Sequence, residues 1–186
     1  MRKLLKTLIG ATMFVMIATP AWADQVFQHQ EGSWSIRGYY DFKNGANSCE
    51  VGTQWDNGSH VKIIVVPVSG SNGQNDVKME VRSMGTNWVA AGLKVGSTFI
   101  DQISFGYTNG EVKILKALPT VEALDILVVE NLTAEFEANF KGAKEMILFP
   151  GSPGELYVNL NGSYAMSVAL TNCLYEISDE DTQETE

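Results

Sequence analysis

The chain has 186 residues, 45% of them hydrophobic and 10% aromatic, with a formal net charge of −9. That is enough chain to bury one core of ordinary size. An acidic excess is repelled by phosphate backbones and anionic lipid, which argues against nucleic-acid and membrane-surface binding and leaves solvation as the simplest use of the charge.

The first segment reads as an export signal. Arg2, Lys3 and Lys6 precede a mostly apolar run, Leu8 to Ala18; Pro20 breaks it, and Ala21-Trp22-Ala23 is an A-x-A cleavage pattern. The run is too short to cross a bilayer, no later segment is long and apolar enough, and no cysteine follows Ala23 to carry a lipid. Cleavage there leaves 163 residues and a charge of −12, since three of the thirteen basic residues go with the signal. The expected organisation is a signal peptide over 1–23, a single β-rich domain over 24–177 and a disordered acidic tail over 178–186. A periplasmic or secreted protein of a Gram-negative bacterium follows from that signal.

After a polar leading segment, Asp24 to Gly32, expected to be loose, Trp34 to Phe42 alternates as a strand. Trp34, Ile36, Gly38 and Tyr40 share one face. Asn44-Gly45 signals a hairpin. Ser48 to Trp55 alternates again, with Cys49, Val51, Thr53 and Trp55 on one side. Asp56-Asn57-Gly58 turns the chain into a third strand, His60 to Val68. Its Ile63-Ile64-Val65-Val66 run predicts a central place with both faces buried, and Pro67 marks its end. Ser69 to Asn75 is a Gly/Ser/Asn loop, and Val77 to Met84 a fourth strand.

Trp88 to Phe99 is interrupted by Gly92 and Gly96, and one short strand is expected around Leu93. Asp101 to Tyr107 and Glu111 to Leu115 form a hairpin about Thr108-Asn109-Gly110. Pro119 breaks that run, and Ala123 to Val129 reads equally as a strand or a connection. Asn131 to Lys141 is an expected helix: Leu132, Phe136 and Phe140 stack at i, i+4, i+8, Glu135 and Lys141 match the macrodipole, and Gly142 stops it. Glu145 to Phe149 and Glu155 to Leu160 pair as strands across a Pro/Gly turn. A last helix starts at Ser163, with Ala165, Val168, Ala169, Asn172 and Cys173 on one face. The sum is a mainly β, β-rich α+β fold: an antiparallel sandwich or partly closed barrel of about eight to ten strands with two helices, the C-terminal one packed on the sheet.

Two cysteines in an exported chain are most simply one disulfide, Cys49 to Cys173, stapling the first hairpin to the last helix. No C-x-x-C is present, and no histidine lies near either cysteine in sequence. A catalytic site is not visible. His29 and His60 have no carboxylate or nucleophile fixed beside them by sequence. Ser152 sits in a proline-bounded turn rather than a nucleophile elbow, and the tail acids lack metal-ligand spacing, so neither metal nor cofactor is expected. The sequons at Asn57, Asn131 and Asn161 have turn or cap explanations in a chain with a bacterial-style signal. The aromatics Tyr39, Tyr40, Trp55 and Trp88 are the candidate binding residues, because aromatics exposed on a β-surface serve sugar or protein recognition; the competing reading is core packing.

The chain resembles the exported alphaproteobacterial proteins grouped around invasion-associated locus B. The resemblance rests on the Trp34 strand followed by Cys49, on Phe140-Lys141-Gly142-Ala143, and on Leu160-Asn161-Gly162-Ser163-Tyr164-Ala165-Met166 before a helix closing with Cys173. It covers mainly the two ends and implies a periplasmic or surface-associated β-protein tied to host interaction, without carrying over any functional residue. The expected function is non-enzymatic binding of a protein or envelope component. The alternatives are an inhibitor or immunity protein presenting an acidic loop at Asp56 or Asp101, and an envelope hydrolase built on His60 if folding brings it an acid and a serine.

Overall fold

The computed structural model describes residues 23–41, 47–68 and 75–179. The segment up to Trp22, where an export signal is expected, the Asn44-Gly45 turn, residues 69–74 of the Gly/Ser/Asn loop and the expected tail from Glu180 lie outside the described residues.

Among the described residues there are eleven strands in two antiparallel sheets, and two helices. The larger sheet begins with β1 (Ala23–Glu31), β2 (Trp34–Asp41), β3 (Ser48–Gln54), β4 (His60–Pro67) and β5 (Asn75–Arg82), a meander in chain order. The smaller contains β6 (Asp101–Gly106) and β7 (Val112–Ala117). The chain then returns to the first sheet as the hairpin β8 (Pro119–Ala123) and β9 (Ile126–Val129), which docks on β5. Helix α1 (Ala134–Gly142) follows, then the hairpin β10 (Glu145–Leu148) and β11 (Leu156–Asn159), completing the order β11-β10-β6-β7. Helix α2 (Ser163–Asp179) closes the fold by packing on β1, β2 and β3.

Alternation in the sequence becomes one continuous apolar face. Ile36, Val51, Ile63, Met79 and Val129 lie side by side across β2, β3, β4, β5 and β9, and Val61, Val81, Leu127 and Val121 form the next row. All nine are buried. α1 links this face to the smaller sheet through aromatic rings: Trp34 meets Phe140 edge-on at 5.2 Å, Phe136 stacks on Phe140 at 6.2 Å, and Phe105 meets Phe136 at 5.7 Å. Such contacts add to the apolar area that the rings bury. The arrangement is sandwich-like.

Several expectations are corrected. The leading segment is not loose: it is the edge strand β1. A bulge between Gln25 and Phe27 interrupts the period of two that would have announced it, and its polar residues face solvent. β4 does take the fourth place of seven, but within the Ile63–Val66 run only Ile63 and Val65 are buried; Ile64 and Val66 lie half-buried on the outer face. No strand forms around Leu93. Gly92 and Gly96 adopt φ of +94° and +81°, and the chain turns there before Gly96 to Phe99 bonds along the free edge of β8. Pro119 begins β8, where a missing N–H costs least. The undecided Ala123 to Val129 holds the β8–β9 turn and all of β9.

α1 starts later than expected. Asn131 has φ +55°, and Thr133 is the N-cap, accepting from Phe136 N at 3.4 Å. Gly142 belongs to the helix, and Ala143 caps it. α2 is rotated from its expected phase: Met166, Ala169, Cys173 and Ile177 are buried, whereas Val168 is 52% exposed. Ser163 is its first helical residue, and its hydroxyl donates to Phe140 O at 2.7 Å, stitching α2 to α1. The helix also runs two residues into the segment read as tail. No helix among the described residues is long and apolar enough to cross a membrane.

Candidate functional site

α2 lies over one part of the large sheet's apolar face, and α1 leads from that face to the smaller sheet. Between them β3, β4 and β5 form the floor of an open cleft of about 400 Å³. Val51, Ile63, Val65 and Val77 are that floor. Met166, Leu170 and Leu174, one above another on α2, are one wall; Leu132, Phe136 and Phe140 are the other. The disulfide Cys49–Cys173 holds the α2 wall in place from beneath, with Cα atoms 6.2 Å apart. Leu132 is fixed by its own backbone, whose N–H donates to Val77 O at 3.0 Å.

The rim is polar. Asn75, Thr133, Glu137, Ser167 and Thr171 ring the opening. Most of its hydroxyl chemistry is used locally: Ser167 donates to Ser163 O and Thr171 to Ser167 O along α2, and Thr133 accepts from its own helix. Among the described residues Glu137 is the single ionisable side chain in the lining, and it pairs with Lys141 one turn on. Lys141 and Lys144 line a different, more polar depression beside the start of α2, with Tyr157, Asn161 and Tyr164. An apolar floor, apolar walls and a thin polar rim make a site for apolar ligands.

The aromatics singled out in the sequence do not meet. Tyr40 is 5% exposed on the inner face of β2, while its neighbour Tyr39 is half-buried on the outer face. Trp88 is 1% exposed and packed between Phe99 and Phe149, and among the described residues nothing hydrogen-bonds its buried indole Nε1. Trp55 is half-buried at the turn after β3, where its backbone N–H donates to Ser59 O. Tyr40 and Trp88 are therefore core residues rather than surface platforms, and none of the four lines the cleft. The cysteine pair is bonded as expected.

Folding does bring His60 an acid. Its Nε2 donates to Glu80 Oε1 at 2.8 Å on the outer face of the large sheet. Lys62 stands between Glu80 at 3.9 Å and Glu50 at 3.6 Å, and Arg82 Nε donates to Asp125 Oδ2 at 2.7 Å. The His60 hydrogen bond, aided by Lys62 and opposed by burial, holds the Glu80 carboxyl below its usual range. Among the described residues no hydroxyl hydrogen-bonds His60, so the array is a charge ladder across strands rather than a triad. His29 is exposed on β1. Asp56 lies in an exposed turn, but Asp101 is in β6, where it accepts from Gln102 N. Ser152 remains a turn residue, accepting from Gly154 N. Among the described residues no three His, Cys, Asp or Glu side chains gather as metal ligands.

The cleft residues were visible in sequence only as core. Met166, Leu170 and Leu174 make a second apolar stripe beside the Ala169–Cys173–Ile177 one. Two adjacent stripes are the ordinary apolar face of a helix packed on a core, so no signal in the sequence marked this wall as the side of a cleft. No protein-family model, no curated protein and no solved structure matches the chain.

Proposed function

We propose that the chain is a non-enzymatic binding protein of the Gram-negative envelope, exported to the periplasm, and that its binding site is the cleft between α1, α2 and strands β3–β5. One observation carries this reading: a 400 Å³ opening onto the core, lined by apolar side chains and rimmed by hydroxyls. Val51, Ile63, Val65, Phe136, Phe140 and Met166 are at most 5% exposed, so the apolar surface left open is that of the half-buried Val77, Leu132, Leu170 and Leu174; covering it is favourable, and binding is the common use of such a cleft. The buried disulfide fits an oxidising compartment. The likeness of the chain ends to the invasion-associated locus B group agrees with an envelope or host-facing setting.

The test uses purified protein and a neutral apolar fluorophore, N-phenyl-1-naphthylamine. Saturable enhancement is expected, with affinity lowered about tenfold in Leu170→Gln, an exchange worth roughly one apolar side chain's partial burial. Helical circular dichroism checks that the variant folds. Absence of saturable enhancement, or equal affinity in a folded Leu170→Gln, refutes the site.

A further inference from the structure

We propose that β7 is the contact edge of a homodimer, in which two copies pair antiparallel and Ile114 faces its counterpart across the two-fold axis. The inference is independent of the cleft. Among the described residues the margins of the two sheets are β1, β8, β11 and β7. An unpaired margin is a template for another strand, and folds blunt it with bulges, prolines, short strands or covering chain. Three of the four are blunted in this way. β1 carries the bulge between Gln25 and Phe27. β8 starts at Pro119 and has Gly96 to Phe99 bonded along it. β11 is only 4 residues long. β7 has none of these devices: it pairs with β6 in unbroken register from Val112 to Ala117, and Val112 and Ile114 are 61% and 59% exposed. Its lysines are the remaining guard, and they select a register rather than closing the edge.

Hydrogen bonding fixes which groups face outward. Tyr107 N–H donates to Glu111 O. Alternation along the antiparallel pair then gives residues 113, 115 and 117 to β6 and turns the N–H and C=O of Val112, Ile114 and Lys116 away from it. The side chains of these three stand on the outer face, where Tyr157, Ile147, Ser104 and Ile114 form one row across β11, β10, β6 and β7. A second copy, related by an axis through Ile114 perpendicular to the sheet, meets all of those groups with its own. Ile114 then faces Ile114, Val112 faces Lys116, and the outer row runs on into the second copy. Such a contact is self-complementary, as a two-fold interface must be. The two Lys116 ammonium groups stay four strand residues apart, about 13 Å, beyond the screening length at physiological salt. An axis through Leu115 would instead bring them onto a diagonal of about 7–8 Å and set Ile114 against Lys116. In the favoured register Lys113 lies diagonal to its counterpart, but its charge is already shared with Glu111 at 3.9 Å and with the Tyr107 ring at 5.3 Å.

So short an edge is small for a permanent dimer, which places dissociation at about 10–100 µM. Sedimentation velocity of the purified protein over a concentration series spanning that range is expected to show a monomer–dimer equilibrium. Ile114→Lys, at an exposed position, sets two cations face to face and is expected to weaken it at least tenfold without changing the circular dichroism. Cross-linking reads the register. Facing residues of a hydrogen-bonded antiparallel pair have Cα atoms about 5.5 Å apart, within reach of a disulfide. Ile114→Cys is therefore expected to oxidise to a covalent dimer at least fivefold faster than Lys116→Cys, scored on a non-reducing gel. A monomer at every concentration overturns the proposal and leaves the edge to a strand from another protein. A dimer that persists unchanged in a folded Ile114→Lys, or Lys116→Cys cross-linking as fast as Ile114→Cys, overturns it as well.

Discussion

Gly38 is where α2 presses hardest on the sheet. A Cβ at this position would stand 2.8 Å from Cys173 Sγ and 2.9 Å from Phe27 Cβ. The need is for space, since its φ is not in the left-handed region. Gly38→Ala is expected to cost about 1–3 kcal/mol, the usual penalty of overpacking, read as a lower urea midpoint at unchanged slope. Glu80 makes a pH argument. Its carboxyl titrates lower in the fold than in the unfolded chain, chiefly through the His60 hydrogen bond. A depressed acid contributes stability above its unfolded pKa, roughly 4.3, and loses it as the pH falls through the lower folded value. Glu80→Gln is expected to lower the unfolding free energy at pH 7, read from urea titration, by no more than about 1 kcal/mol, because the pair is partly solvated. The gap between variant and parent should close as the pH falls below 4. A gap that stays constant with pH means that the pair contributes nothing through ionisation.

Elements were readable in sequence wherever their own period survived. β2 to β6 alternate cleanly because each has one face on the core and one toward solvent. β1 escaped notice because main-chain pairing with β2, not side-chain burial, defines it. The stretch after Trp88 misled because left-handed glycines bend what would otherwise extend. α1 was recognised from Phe136 and Phe140, but its start was set by Thr133, three residues before the first buried ring. That cap is long at 3.4 Å, so Thr133→Ala is expected to cost about 0.5–1 kcal/mol, the low end for a lost N-cap. Thermal unfolding checks the magnitude. The cleft was not legible at this scale. Its walls are ordinary helix stripes, and the gap between them depends on how far apart α1 and α2 sit, which no local pattern encodes.

For the whole molecule the decisive contacts join the two ends of the chain. Trp34 Nε1 donates to Asn159 O, Asn47 Nδ2 donates to Ile177 O, and Cys49 bonds to Cys173, at separations of 125, 130 and 124 residues. The last of these was foreseeable from the count of two cysteines and the expectation of export; the other two were not, since a buried Trp or Asn finds its carbonyl only after folding. A cross-link closing so long a loop restricts the unfolded chain strongly, by about 4–5 kcal/mol in the chain-entropy account. A domain stable by roughly 5–15 kcal/mol survives that loss in part, and Met166, Ala169 and Ile177 still pack against the sheet without the bond. Cys49→Ala/Cys173→Ala is therefore expected to fold, with a markedly lower urea midpoint. The native disulfide has a second consequence. Both cysteines are 0% exposed, and thiol exchange requires an attacking thiolate to reach sulfur. Dithiothreitol should leave the bond intact in buffer and cut it only at urea concentrations that unfold the chain, as followed by thiol labelling and mass. Rapid reduction in buffer would mean that α2 lifts off the sheet below global unfolding. The α2 wall of the cleft would then be a moving part rather than a fixed one.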